Sequence, residues 1–321
     1  MTELNKNDPT AFLLKFISRQ PLQFSRFIAR GLAGLVNLLK VSQTSKTIRL
    51  NLQIALPELS HEERERITQQ AIRNELTSYF EFFSIWGSDN QKNVARIEQV
   101  IGDHYLKDAI ASQQGVVLIV PHFGTWEIMN AYVSQFTQMT IMYKPVKNAA
   151  ANQFVRAARS REQANLVPTD ESGVRQIFKA LKQGGTTVIL PDHTPNQGGE
   201  LIPFFGIPLA SSNLSAKLIQ KTKAKTFMMY AKRNDNGLFD MHIEPIDEAI
   251  YTSSANDATL IIHHALENLI RRYPEHYHWS YKRFKANPAL KGLYNAPTEQ
   301  AIERTQQLRE ETLKAISDTT T

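Results

Sequence analysis

Residues 116–127 read VVLIVPHFGTWE. The first five are apolar without a break and are bounded by Gly115 and Pro121. So short and unbroken an apolar run suits a strand buried on both faces, the situation of strands in a parallel sheet covered by helices. Similar runs follow: MTIMY from Met139, TTVIL from Thr186, TFMMYA from Thr226 and MHIEPI from Met241. Segments of helical period separate several of them, near 150–164, 173–184, 211–223 and 257–273. Strand alternating with helix predicts an α/β fold: a mixed, largely parallel sheet flanked by helices.

Upstream of Gly115 the period is helical. Ser60 and Glu63 have the spacing of a capping box, in which a hydroxyl and a carboxylate each take the other residue's backbone N–H. Ile67, Ala71, Leu76, Tyr79, Phe80 and Phe83 continue that helix toward Gly87. The first hundred residues therefore read as mostly helical. Residues 1–10 are polar and lack the charged-then-apolar layout of a secretory signal. Residues 12–41 carry Phe12, Leu13, Leu14, Phe16, Ile17, Phe24, Phe27, Ile28, Leu32, Leu35, Val36, Leu38 and Leu39, interrupted by Lys15, Arg19, Arg26, Arg30 and Lys40. Those charges leave no run long enough to span a bilayer. A core helix and a basic helix lying in a membrane interface both fit the pattern, with a spanning helix the weakest reading. At the other end, residues from Thr298 read as a polar helix whose last positions, 318–321, are expected to fray.

The chain has 321 residues, 42% hydrophobic and 21% charged, which describes an ordered globular protein. A formal charge of +6 favours anionic partners: nucleic acid, anionic lipid or an acidic carrier protein. The basic residues form no long arm and no nucleic-acid motif is present, so nucleic acid is set aside. With no cysteine, disulfides, thiolate catalysis and Cys-based metal sites are excluded. The chain also lacks G-x-S-x-G, G-x-x-x-x-G-K-[ST] and G-x-G-x-x-G, the usual supports of serine hydrolysis, nucleotide hydrolysis and hydride transfer.

Ligand sites of open α/β sheets form beyond the carboxyl ends of strands, where His122 and Glu127 stand, five positions apart. Gly124 permits a tight turn there, and Thr125 is a candidate cap for the helix that follows. Glu127 in the first turn of that helix can fold back on the imidazole, fixing its tautomer and leaving the other nitrogen as a base. A histidine satisfied by local backbone is the competing reading. After TTVIL comes PDHTPNQGGELIPFFGIP, with Asp192 and His193 followed by Gly198, Gly199, Phe204, Phe205 and Gly206, either a loop over a site or an ordinary surface loop. Arg156, Arg159 and Arg161, with Lys144 and Lys147, suit phosphate but equally a solvated helix face. In YPEHYHWSYKRF, residues 273–284, His276 and His278 have no third ligand at a regular spacing, so no metal is expected.

Taken in order, RLNLQIALPELSHEERE, VPHFGTWE, the pair Arg159 and Arg161, GGTTVILPDHTPNQGG with PFFG, and YPEHYHWSYKRF resemble the late acyltransferases of lipid A biosynthesis, the lauroyl and myristoyl transferase family. The resemblance covers residues 45 to 290. It implies a glycerol-phosphate-acyltransferase-like α/β core at the cytoplasmic face of the inner membrane, an acyl carrier protein as donor and a lipid A precursor as acceptor, with no cofactor. The wider superfamily commonly has Asp at the position of Glu127, another carboxylate. Family members usually begin with a membrane-spanning helix; Arg26 and Arg30 make peripheral attachment to an anionic membrane surface the expectation here, against a single anchor.

On this reading residues 1–45 are a membrane-associated helical segment, 46–297 the α/β acyltransferase domain and 298–321 a polar helix or tail. His122 is the general base and Glu127 its orienting partner. Gly124 and Thr125 offer backbone N–H groups to an oxyanion. Arg159, Arg161, Asp192 and His193 are expected to bind substrate, Asp192 by shaping the site. Three rival functions stand beside it: an acyltransferase for another glycolipid or lysophospholipid, a thioesterase, and a non-catalytic lipid-binding protein.

Overall fold

A computed structural model describes residues 9–39, 42–195 and 198–320. Lys40 and Val41 of the apolar N-terminal stretch, Asn196 and Gln197 of the loop after TTVIL, and residues 1–8 and 321 lie outside the described residues. Nine strands are described: β1 (Ile97–Ile101), β2 (Val116–Ile119), β3 (Thr140–Met142), β4 (Asn165–Val167), β5 (Thr186–Ile189), β6 (Glu200–Phe204), β7 (Ile207–Ser211), β8 (Lys225–Arg233) and β9 (Phe239–Pro245). The α-helices are α1 (Pro9–Ser18), α2 (Leu22–Leu39), α3 (Gln43–Ala55), α4 (His61–Gly87), α5 (Asn90–Val94), α6 (Asp103–Ala111), α7 (Ile128–Val133), α8 (Ala149–Arg161), α9 (Glu171–Lys182), α10 (Leu214–Thr222), α11 (Ala255–Arg272) and α12 (Thr298–Thr320).

The chain divides into two compact units, each discontinuous in sequence. The first contains the residues through Leu32, Leu76–Ile189 and Lys221–Pro245; the second contains Ala33–Glu75, Leu190–Gln220 and the residues from Ile246 onward.

The first unit holds a five-stranded sheet in the order β1-β9-β8-β2-β5. Every pairing is parallel except that of β8 with β9. The expected mixed, largely parallel sheet is thus present, with VVLIV as an inner strand. Val116, Val117, Leu118 and Ile119 are all fully buried, as their unbroken apolar character requires. MTIMY forms a strand as expected but stands with β4 in a separate parallel pair, joined to the main sheet at a bridge from Met139 to Thr186. β1 was not expected: IEQVI is an edge strand with no fully buried residue.

The second unit contains the antiparallel hairpin β6–β7, on which α11 and α12 pack. Residues 200–208 of PDHTPNQGGELIPFFGIP are therefore strand and turn, not loop. Glu200–Phe204 and Ile207–Ser211 pair through a turn at Phe205 and Gly206, both at positive φ. The capping box is present, Ser60 N–H donating to Glu63 Oε2 (2.9 Å) and Glu63 N–H to Ser60 Oγ (3.2 Å). α12 continues to Thr320, through positions expected to fray.

Residues 12–39 form two helices, broken around Gln20 and Pro21. The buried face of α2 is Ser25, Arg26, Ala29 and Ala33, while Phe24, Phe27, Ile28, Leu32, Leu35 and Leu38 are exposed. This overturns the core-helix reading, because the large apolar side chains face outward. Among the described residues no helix is long and apolar enough to cross a membrane.

Candidate active site

β2 and β5 run parallel in direct register, so their carboxyl ends emerge on the same side of the sheet. The chain leaves β2 through Pro121 and turns into α7 over residues 122–127. Gly124 has φ +53°, and a Cβ there would lie 2.4 Å from the carbonyl oxygen of Ala231 on β8. The turn is pressed so closely against β8 that only glycine fits.

His122 is half-buried, its ring meeting that of Trp126 edge-on with centroids 4.9 Å apart. Trp126 packs in turn on Phe82 of α4, which stacks on Trp86. Glu127 is 5% exposed and its carboxylate is heavily engaged. Oε2 accepts from Trp86 Nε1 at 2.9 Å and from Asn130 Nδ2 at 3.3 Å. Oε1 accepts from an Nη of Arg159 at 2.9 Å. Such a carboxylate is held in one orientation.

Arg159 belongs to α8 and lies over the Tyr143 ring, with its Nε buried and unpartnered. Burial pulls its pKa down, but the charge and hydrogen bond of Glu127 more than offset this and raise it overall. Arg161 is exposed and donates to the Trp86 carbonyl oxygen. Both arginines of the sequence motif therefore converge on the Glu127–Trp86 cluster. Glu162, next in the chain, is 6% exposed. Burial and the neighbouring charge of Glu127 push its carboxyl up to about 8, against the opposing pull of Arg159 and Arg161.

Thr125 does not cap α7. Glu127 occupies the N-cap position, without a side-chain cap bond. The Thr125 hydroxyl instead donates to Glu81 of α4 (2.5 Å), a charge-assisted bond to a buried carboxylate, and lies 3.2 Å from the Ser78 hydroxyl. Glu81, fully buried, also takes Arg26 and Arg233.

Asp192 and His193 lie in the second unit, in the loop that follows β5. Asp192 is 1% exposed and interacts with Tyr277 and Arg283; burial and then its charge push the Tyr277 hydroxyl well up. His193 stacks on Tyr281, with centroids 3.8 Å apart, and the Tyr281 hydroxyl accepts from the Thr194 N–H. Much of the 273–284 segment is structural in this unit. Asn51 Nδ2 donates to the carbonyls of Trp279 and Tyr281, and buried His278 lies beside Glu75. Among the described residues no group of three or more candidate ligands could hold a metal ion.

Sequence reasoning missed Glu81, Trp86, Glu162 and Arg233. Glu81 carried a usable signal: it is the one acid within the aromatic-rich run YFEFFSIW, and an acid buried there needs a partner.

A family model described as "Bacterial lipid A biosynthesis acyltransferase" matches residues 10–286. The chain is 28% identical over 244 residues to the Escherichia coli K12 lipid A biosynthesis palmitoleoyltransferase, covering 75% of this chain and 78% of that one. It is 25% identical over 276 residues to a lipid A biosynthesis acyltransferase of Haemophilus influenzae, covering 84% and 86%. It is 22% identical over 258 residues to the Escherichia coli K12 lipid A biosynthesis lauroyltransferase, covering 79% and 83%.

Proposed function

The chain belongs to the bacterial lipid A biosynthesis acyltransferase family, and from that premise we propose that it moves a lauroyl or myristoyl chain from acyl carrier protein to a lipid A precursor. The acceptor is the hydroxyl of an acyl chain already in place. His122 removes the hydroxyl proton as the oxygen attacks the thioester carbonyl. The new C–O bond forms as the C–S bond breaks, and the imidazolium returns its proton to the departing thiolate. Glu127 orients His122 and stabilises its cation. Gly124 and Thr125 N–H groups face the developing oxyanion. Arg159 serves through Glu127, and exposed Arg161, which also donates to the Trp86 carbonyl oxygen, meets a phosphate of the acceptor. Asp192 and His193 shape the substrate loop. No covalent acyl-enzyme forms, since the chain has no cysteine and no serine in a nucleophile motif.

The observation that carries this reading is a buried carboxylate, fixed by Trp86 and Arg159, five residues beyond a histidine at the end of a buried parallel strand. The exposed apolar stripe of α2, with Arg30 also exposed, supports peripheral attachment to an anionic membrane at the cytoplasmic face of the inner membrane. Purified parent and His122→Ala, each given acyl carrier protein loaded with lauroyl or myristoyl and a lipid A precursor, test the mechanism by mass spectrometry of the lipid. A gain of one acyl mass with the parent, lost in the variant, is expected. Free fatty acid without heavier lipid would identify a thioesterase instead.

A further inference from the structure

We infer that Glu81 is a positioning residue for the 122–127 turn, and that through Arg26 it ties this turn to the apolar-faced helix α2. The inference rests on the reading that the turn carries acyl transfer.

A carboxylate has about four acceptor sites, and all of those of Glu81 are taken. Oε1 accepts from Arg26 Nε (2.5 Å) and Arg233 Nε (2.8 Å); Oε2 accepts from an Nη of Arg233 (2.7 Å) and from Thr125 Oγ1 (2.5 Å). Burial raises the carboxyl pKa, yet the two arginines and the Thr125 hydroxyl outweigh it and hold the group below its ordinary value. Two guanidinium groups already exceed one negative charge. The Thr125 hydroxyl is therefore not needed to balance it; its effect is mechanical. Thr125 is 1% exposed and stands beside Gly124, whose Cα is pressed on the Ala231 carbonyl of β8. The turn is thus gripped on one side by β8 and on the other by a fixed carboxylate. Those two contacts set where the backbone of residues 124 and 125 points.

Arg26 extends this grip to α2. Its guanidinium also donates to the Gly237 carbonyl (2.6 Å) and lies over the Phe239 ring, while Phe27 and Ile28, next on the helix, are exposed. A helix that meets an apolar surface on one face carries, on the other, a side chain two hydrogen bonds from the turn. Displacing α2 must disturb the charge pattern that orients Thr125.

Thr125→Val keeps the shape and loses the hydroxyl; Thr125→Ser restores it. Both, with Arg26→Gln, His122→Ala and the full-length parent, are compared for kcat and KM with loaded acyl carrier protein and a lipid A precursor. Thermal melting and sedimentation with phosphatidylethanolamine–phosphatidylglycerol vesicles accompany the kinetics. We expect kcat of Thr125→Val to fall roughly 10- to 100-fold with KM within about twofold, and Thr125→Ser to stay near the parent. Arg26→Gln should lose kcat while still binding vesicles. Parental kcat in Thr125→Val, or a serine variant as slow as the valine one, overturns the inference while leaving the acyl-transfer reading intact. So does an Arg26→Gln whose deficit is entirely lost vesicle binding. A fully active His122→Ala would instead sink both.

Discussion

Arg159 donates to Oε1 of Glu127 across 2.9 Å, joining the last turn of α8 to the turn that follows β2. Both side chains are largely withdrawn from water, and the Arg159 Nε finds no partner. An arginine placed to grip a substrate phosphate would offer both faces of its fork outward. This one spends an Nη on a carboxylate of the protein itself. On the proposed function it holds Glu127, and the pair should behave as one unit.

That claim separates two kinetic outcomes. Arg159→Met should lower kcat by about tenfold or more, because Glu127 loses its cationic partner, whereas Glu127→Gln lowers it within the roughly 10²–10⁴-fold range of a base and its partner. Residues serving one function are not additive, so the double variant should be no slower than Glu127→Gln alone. A raised KM for the lipid acceptor with kcat preserved in Arg159→Met would return the arginine to substrate binding.

Gly124→Ala tests the grip of β8 on the turn. The added methyl would meet the Ala231 oxygen at 2.4 Å, in a backbone conformation that an L-residue adopts at a cost. The turn must shift, so activity should fall by about 100-fold or more while the sheet still forms. Mass spectrometry of the acylated lipid and far-UV circular dichroism read the two effects separately. An alanine variant as active as the parent would mean that the backbone at 124 takes no part in catalysis.

Phe27 and Leu38 are 74% and 79% exposed, the most open of the described large apolar side chains on α2. Replacing both by Ser removes little packing, and the melting temperature should hold within about 2 °C. Vesicle binding should weaken by roughly tenfold or more per residue, since burying such a side chain is worth about 1.5–3 kcal/mol. Unchanged sedimentation with anionic vesicles would remove α2 from the membrane contact.

How much of this was legible in the sequence follows from where each feature gets its energy. β2 was readable because a strand buried on both faces must be apolar throughout, and Val116–Ile119 is. β1 was not, because an edge strand gains little from burial and IEQVI alternates weakly. Gly198, Gly199, Gly206, Pro203 and Pro208 made the β6–β7 hairpin look like loop, although prolines are tolerated where a strand is open on one side. His122, Gly124 and Glu127 stood out because strand-end chemistry is local. The partner of Arg159 did not, since 32 residues of chain separate it from Glu127. Thr125 went the wrong way for the same reason: the acceptor that captured its hydroxyl sits 44 residues upstream.

Glu162 supplies the pH dependence. Its folded pKa of about 8 stands above the ordinary carboxylate value of 4.5. Below pH 4.5 both folded and unfolded chains hold the proton, and the residue does not affect stability. As pH rises past 4.5 the unfolded chain releases its proton while the folded one keeps it, so stability falls. The decline continues until pH passes about 8, where the folded group ionises too and the penalty levels off. Glu162→Gln removes the titration and keeps the volume. The variant should melt close to the parent at pH 5 and above it at pH 8, by an amount on the order of a few kcal/mol at most. Differential scanning calorimetry at the two pH values makes the comparison. An equal gain at both would mean that packing, not ionisation, separates Gln from Glu; a gain confined to pH 5 would reverse the sign and show the carboxylate paired in the folded state.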